Sequence, residues 1–230
     1  MTMQLKLSKR LEAIYDMVSL SNVVADIGSD HALLPIALVQ SGKVTRAYAS
    51  EVNEGPYDMS VKNIEKYGLT NYITAVLSDG ISELEADVNC ITICGMGGNL
   101  ICDILDSNKD KLTHVDEIII QPNNNEETAR IWLVNNGYDI DNEAIVYEDN
   151  VYYEIIKAVK RTPQRRYSKE ELYFGPYLLA DKSESFVGKW SKYKDYLNTV
   201  LKQINNPELS NYKMLLGLSN LIEKVLSDKK

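Results

Sequence analysis

Five short polar or glycine-containing blocks follow five apolar runs in this chain, and their residue types suit hydrogen bonding to a nucleoside-like ligand. The first is Asp26-Ile27-Gly28-Ser29-Asp30-His31, after the apolar Val23-Val24-Ala25. A glycine where a buried strand ends lets the backbone approach a ligand, and the helix start that follows offers amide donors. Loops that bind nothing share that pattern, so the other blocks decide. Glu51-Val52 comes 23 residues after Gly28, where an acid can accept hydrogen bonds from both hydroxyls of a ribose. Ser78-Asp79-Gly80 places an acid to accept from an exocyclic amine. Cys94-Gly95-Met96-Gly97-Gly98-Asn99 and Gln121-Pro122-Asn123 complete the set. A surface turn explains any one block, but it explains five in register poorly.

The acids select the ligand class. Phosphates call for amides and basic residues, whereas Asp26, Asp30, Glu51 and Asp79 bring four carboxylates to one edge. S-adenosylmethionine carries a sulfonium, an amine and a ribose diol and no phosphate, which suits acids. NAD falls behind because no G-x-G-x-x-G is present, and ATP because no G-x-x-x-x-G-K-[ST] is present. With two histidines, His31 and His114, and no His/Cys cluster at ligand spacing, no metal site is expected. Cys90, Cys94 and Cys102 are odd in number and read as buried thiols.

The elements that must position these blocks alternate. Leu7, Leu11, Ile14 and Val18 mark an amphipathic first helix. Strands are expected at Val23–Ile27, Val44–Val52, Ile73–Leu77, Asn89–Cys94 and Glu117–Ile120, with helices starting near Leu34 and spanning Tyr57–Tyr67, Leu100–Leu105 and Glu126–Asn135. Tyr138–Tyr147 and Val151–Lys160, joined by Glu148-Asp149-Asn150, read as an antiparallel hairpin. A parallel sheet closed by such a hairpin points toward methyltransferases more than dehydrogenases. Beyond Arg161 the pattern is helical: the stripe Phe186, Trp190, Tyr193, Leu197, Leu201, Ile204 and the stripe Leu215, Leu218, Ile222, Val225 flank an Asn-Asn-Pro break. Two domains are expected, 1–160 and 161–230.

Charge divides along the same line. Positions 1–150 hold 10 Lys/Arg against 24 Asp/Glu, and positions 151–230 hold 15 against 9. Lys157, Lys160, Arg161, Arg165, Arg166 and Lys169 follow one another without an intervening acid, and Lys182, Lys189, Lys192 and Lys194 surround the penultimate helix. Phosphate neutralisation is local, so this asymmetry is a cue for a polyanion partner, with a solvated linker and a purely structural hairpin as the bland alternatives. No apolar run approaches the roughly 20 residues needed to span a bilayer. The N-terminus lacks the apolar core of a signal peptide, so a cytoplasmic protein is expected.

Taken together, the five blocks, with Asn53 and Gly55-Pro56-Tyr57 beside Glu51, resemble the bacterial tRNA (adenine-22-N1)-methyltransferase family over nearly the whole chain. Ser78 stands before Asp79-Gly80 where glycine is more usual. The resemblance implies a class I, Rossmann-like methyltransferase domain, an α/β fold with a mostly parallel seven-stranded sheet ending in an antiparallel hairpin, and a small helical coiled-coil-like domain. It implies S-adenosylmethionine as cofactor and tRNA as substrate, methylated on ring nitrogen 1 of adenine 22, by a monomer with a dimer left open. Another RNA, a protein or a small molecule is the alternative acceptor.

The expected cofactor contacts are Asp26, Gly28, Ser29, Glu51, Val52, Asp79, Gly80, Gly95 and Met96. The expected catalytic residues are Asp30, His31, Asn99 and Asn123, and the expected tRNA contacts are Lys157, Lys160, Arg161, Arg165, Arg166, Lys189 and Lys192. Neutral adenine already offers a lone pair at nitrogen 1, so alignment matters more than a strong base. Asp30 is the residue expected to steady the cationic product ring, with Asn99 and Asn123 hydrogen-bonding the flipped base.

Overall fold

The computed structural model describes residues 5–20 and 23–228. Seven strands form one sheet in the order β3-β2-β1-β4-β5-β7-β6, comprising β1 (Val23–Ile27), β2 (Arg46–Glu51), β3 (Ile73–Leu77), β4 (Cys90–Met96), β5 (Glu117–Pro122), β6 (Tyr138–Glu148) and β7 (Val151–Lys160). The first five run parallel; β7 is antiparallel to both β5 and β6. The parallel strands are nearly unbroken runs of apolar residues because helices cover both faces. On one face α1 (Lys9–Met17), α2 (Leu33–Gln40) and α3 (Glu54–Lys66) pack through Ile14, Leu34, Ile36 and Ile64; on the other, α4 (Gly98–Ser107) and α5 (Glu126–Asn135) pack through Ile101, Leu105 and Leu133. A 3-10 turn at Lys109–His114 leads into β5.

Element boundaries moved mostly at the site. Helix α3 begins at Glu54, not Tyr57, because Pro56 lies in the first helical turn, where its missing N–H has no intrahelical partner to lose. β4 continues two residues past Cys94, through a bulge at Gly95 (φ +76°), to Met96. α4 then starts at Gly98, where a Cβ would lie 2.4 Å from the Asn125 carbonyl oxygen and 2.7 Å from that of Asn124. Only glycine permits that backbone approach, which ties the ends of β4 and β5 together.

The contacts divide the chain into two compact units, Met1–Pro176 and Tyr177–Lys230. The division expected at 160/161 therefore falls later, because residues 161–175 are fastened back to the sheet unit. The Arg165 N–H donates to the Asp139 carboxylate (3.0 Å), and the Ile140 N–H donates to the Tyr167 hydroxyl (2.9 Å). Arg130, wholly buried on α5, pairs with Glu143 (2.7 Å) and Glu154 (2.5 Å) and donates to the carbonyls of Leu172 and Tyr173 at the end of α6 (Lys169–Phe174). The two glutamates hold its guanidinium charged against the cost of burial.

The second unit holds most of α7 (Pro176–Asp181) together with α8 (Glu184–Gln203) and α9 (Ser210–Ser227). Helices α8 and α9 form the expected antiparallel hairpin. α8 buries Phe186, Trp190, Leu197 and Leu201, and α9 buries Ile222 and Val225. The Lys182 ammonium caps the last turn of α9 by donating to the carbonyls of Val225 (2.7 Å) and Asp228 (2.8 Å).

Candidate active site

All five blocks meet along the carboxyl edge of the parallel strands, where ligands bind in open sheets of this kind. The loop after β1 is built inward. Asp26 is buried; its carboxylate accepts from the Ser29 hydroxyl (2.6 Å) and the Thr92 hydroxyl (2.6 Å). Burial raises its pKa, against the two hydroxyls that favour the charged form. The N–H groups of Gly28 and Ser29 both donate to the Ser50 carbonyl (2.9 and 3.2 Å), and those of Asp30 and His31 favour the ionised Glu51 carboxylate.

The amides of residues 28–31 are therefore committed within the protein. The backbone pays for this turn in left-handed residues: Gly28 (φ +68°) is followed by Asp30 (+46°), His31 (+76°) and Ala32 (+59°) in succession. Gly28 also carries the Met96 side chain over it, since a Cβ there would lie 2.3 Å from Met96 Cε.

Next to this loop, Glu51 is buried, and its Oε1 has no hydrogen-bond partner among the described residues. Burial raises its pKa most, partly opposed by the backbone N–H groups of Asp30 and His31. An unmet buried acceptor calls for a donor from a ligand. Beside it Val52 is 61% exposed, a large apolar side chain left facing solvent. The Asp79 side chain is exposed after β3, and Gly80 (φ +64°) turns the chain back toward α4.

The expected catalytic group is brought together only in part. Asp30 is mostly exposed and lies 3.4 Å from His31 Nε2, while His31 Nδ1 is buried without a partner among the described residues. Asn99 is exposed in the first turn of α4. Asn123 is a brace: it accepts from Gln121 Nε2 (3.1 Å) and donates to the Gly95 carbonyl (2.7 Å), locking the end of β5 to the bulge of β4. Ser29 likewise uses its hydroxyl to orient Asp26.

Sequence reasoning missed Arg10. It reaches from the start of α1 to donate to Gln121 Oε1 (2.7 Å), and its guanidinium lies over the Tyr153 ring. Nothing in its local spacing marks it, because only the packing of α1 brings it to the strand ends.

The basic run divides between the sheet and the exposed surface. In the antiparallel register Ile120 pairs with Ile156 and Glu117 with Val159, so β7 enters beyond the carboxyl edge and Lys160 lies at the opposite, amino edge. Lys157 is partly buried there in an ion pair with Glu117 (2.9 Å) and also donates to the Met17 carbonyl and the Ser19 hydroxyl. Lys160 donates to the carbonyls of Leu112 (2.6 Å) and Thr113 (2.8 Å). The Lys157 charge is met by a carboxylate, whereas Lys160, an exposed residue, is bonded to neutral carbonyls alone. Arg161 pairs with Asp141 and Arg165 with Glu171 at half-exposed positions, which surface screening makes weak. Arg166 is exposed with no ion pair among the described residues. In the second unit Lys189 lies over the Trp190 ring, and Lys192 is exposed.

A family model described as tRNA (adenine(22)-N(1))-methyltransferase, TrmK, matches residues 24–226. The chain belongs to that family. It is 36% identical over 207 residues to the tRNA (adenine(22)-N(1))-methyltransferase of Bacillus subtilis (strain 168), covering 88% of this chain and 87% of the relative. Among solved structures, Streptococcus pneumoniae Sp1610 in complex with S-adenosyl-L-methionine superposes with a TM-score of 0.89 at 39% identity, covering 96% of this chain and 100% of that one. TrmK of M. capricolum, in complex with the cofactor product S-adenosyl-homocysteine, superposes with a TM-score of 0.87 at 33% identity, covering 96% and 97%. The sheet order, the terminal hairpin and the C-terminal helices described above are thus those of a TrmK-family, Rossmann-like methyltransferase. Among the described residues no helix is long and apolar enough to cross a membrane, and no cluster of metal-ligating side chains is present.

Proposed function

We propose that this TrmK-family enzyme methylates ring nitrogen 1 of adenine 22 in tRNA with S-adenosylmethionine. The observation that carries the cofactor reading is the unmet Glu51 Oε1 beside a glycine loop whose amides are turned inward. It fits the ribose diol of a nucleoside without phosphate better than a phosphate group. When bound, S-adenosylmethionine supplies a methyl group on a cationic sulfur.

Glu51 accepts from the ribose, Val52 offers the adenine of the cofactor an apolar platform, and Asp79 accepts from its exocyclic amine. Gly28, Gly80, Gly95 and Met96 shape the walls of this pocket through backbone and packing. Asp26 and Ser29 act as positioning residues, because their polar atoms hold the loop.

At the target, nitrogen 1 attacks with its own lone pair, and positive charge develops on the ring. Asp30, projecting from the loop beyond Gly28 and largely exposed, stabilises that charge or accepts from the exocyclic amine of the target base. His31 orders Asp30 from beside it, and Asn99 hydrogen-bonds the base. Asn123 supports that wall as a brace. The tRNA contacts are assigned to Lys189 and Lys192 of the helical unit and to Arg166, with Arg161 and Arg165 able to exchange their exposed partners for phosphate.

Incubating the protein with tRNA and S-adenosylmethionine, then digesting to nucleosides for mass spectrometry, should yield 1-methyladenosine. A tRNA whose adenine 22 is replaced should yield none. Absence of 1-methyladenosine from the unmodified substrate would overturn the reading.

A further inference from the structure

We propose that Tyr147 and Tyr152, near the end of the β6–β7 hairpin, form a stacking platform for a base that neighbours adenine 22 in the substrate RNA. The inference rests on the tRNA reading above and assigns the surface that holds the RNA open around its target.

The register of the sheet carries this hairpin past the site. Ile156 of β7 pairs with Ile120 of β5, and β5 ends at Pro122. Strands rise about 3.3 Å per residue, so Glu154 lies level with Pro122 and Tyr152 stands about 7 Å beyond it. Tyr147 pairs with Tyr152 across the hairpin. Both rings therefore project beyond the carboxyl edge, next to the Gln121-Pro122-Asn123 block.

Alternation along the strand sets their face. Tyr152, Glu154 and Ile156 share one side, where Glu154 meets Arg130 of α5 and Ile156 joins the core cluster that holds Ile101 of α4. Asn99, assigned to the target base, lies in the first turn of α4. The rings and that wall thus occupy the same side of the sheet.

The pair is fixed before anything binds. Its ring centroids lie 4.5 Å apart with planes 31° from parallel, and Tyr147 is 45% exposed. Asp149 and Asn150 make the turn with left-handed backbone (φ +48° and +64°), as a two-residue hairpin requires, and Asn150 Oδ1 accepts from the Tyr147 hydroxyl (3.0 Å). A ring already held in place loses little freedom on contact. Beside it, Glu148 accepts from the backbone N–H groups of Lys9 (2.8 Å) and Arg10 (3.3 Å), so its charge is taken up at the start of α1. Asp149 is the acid left exposed at the turn, against the exposed Lys6 and Lys9. Rings flanked by lysines suit a base and its phosphate.

The reaction supplies the need for such a surface. Nitrogen 1 lies on the Watson–Crick edge, so adenine must leave its pair and its stack before a methyl group can reach it. The neighbouring base then loses a stacking face. An aromatic surface restores that face whatever the base, since every base has a π-face.

A protein–RNA double-mutant cycle on the full chain tests this, read as kcat/KM for 1-methyladenosine formation. The RNAs are the complete tRNA and two derivatives lacking one base, with sugar and phosphate kept, immediately before or after adenine 22. On the complete tRNA, Tyr147→Ala/Tyr152→Ala should lower kcat/KM about tenfold to a hundredfold, while S-adenosylhomocysteine affinity by calorimetry stays within about twofold. On one of the two abasic RNAs the same change should cost less than about threefold, because the rings have nothing left to stack on. Tyr152→Phe, which keeps the ring, should stay within about twofold of native, and Tyr152→Leu, which keeps apolar area without a π-face, should lose about fivefold. That single-residue pair carries the test if the double substitution lowers the melting temperature. Equal cost on all three RNAs, no cost on the complete tRNA, or equal loss in Tyr152→Phe and Tyr152→Leu would overturn the platform. A dimer of the native protein that the double substitution abolishes would also overturn it, since a second copy would then cover the rings. Failure of the native protein to methylate the complete tRNA would instead overturn the function proposed above.

Discussion

The two edges of the sheet treat their charged groups in opposite ways. At the amino edge two lysines hold the fold: Lys157 bonds Glu117, Met17 and Ser19, and Lys160 bonds the carbonyls of Leu112 and Thr113. At the carboxyl edge polar atoms are left unmet among the described residues: Glu51 Oε1 and His31 Nδ1 are buried without partners, and Arg10 uses one donor of five. A buried polar group without a partner costs stability, and at the strand ends a ligand can supply the partner. The difference separates charge that holds the fold from charge that awaits a substrate, which residue type cannot do.

The contrast can be broken at either edge. The largest effect is expected at Lys157→Met, which strands the Glu117 carboxylate in the interior. Stability should fall by about 3 to 5 kcal/mol in denaturant unfolding, with tRNA affinity of the folded protein unchanged. A selective loss of tRNA affinity without destabilisation would return Lys157 to the RNA-binding set.

At the other edge, Asp30→Ala should lower turnover on tRNA by about a hundredfold while S-adenosylhomocysteine affinity, read by calorimetry, stays within about twofold. Equal loss of both would move Asp30 into the cofactor pocket. Glu51→Gln should weaken S-adenosylhomocysteine by about tenfold without destabilising the fold, because a neutral amide removes a buried charge that the folded protein already disfavours.

The edges should also differ in their response to pH. Burial pushes the Glu117 carboxyl up, but the Ser19 and Lys157 hydrogen bonds outweigh it and leave the pKa below its ordinary value. Its stabilisation is present above that ordinary value and is lost as pH falls through the lowered one. Glu51 has the opposite sign: its raised pKa favours the fold below the ordinary carboxylate value, and that contribution is lost as pH rises through the raised one. Unfolding curves from acid to neutral pH should show Lys157→Met flattening the acid-side loss and Glu51→Gln removing the opposing one.

The smallest effect belongs to Lys192→Ala: tRNA affinity should drop a few-fold, and the slope of log affinity against log salt should fall by about one. An unchanged slope would remove Lys192 from the interface.

Much of the positioning framework was legible because period and punctuation are local properties. The runs Val23–Ile27 and Ile73–Leu77 and the helix Glu126–Asn135 were read to the residue, and the hairpin nearly so. Less legible was anything set by an approach from elsewhere in the chain. Pro56 in a helical first turn, Gly98 under the Asn124 and Asn125 carbonyls, and the fastening of residues 161–175 by Arg130 and Tyr167 depend on partners far along the sequence.

The sequence by itself determined the class of fold, the acids and glycines at the strand ends, and through them a nucleoside ligand without phosphate, because strand period and residue chemistry are written locally. Only the tertiary structure decided the use of each group. It turned the amides of the Gly28 loop inward, made braces of Ser29 and Asn123, partly buried Lys157, and carried Arg10 from the first helix to β4. Those outcomes follow from which surfaces pack together, since burial and proximity convert the same side chain into a strut or a ligand contact.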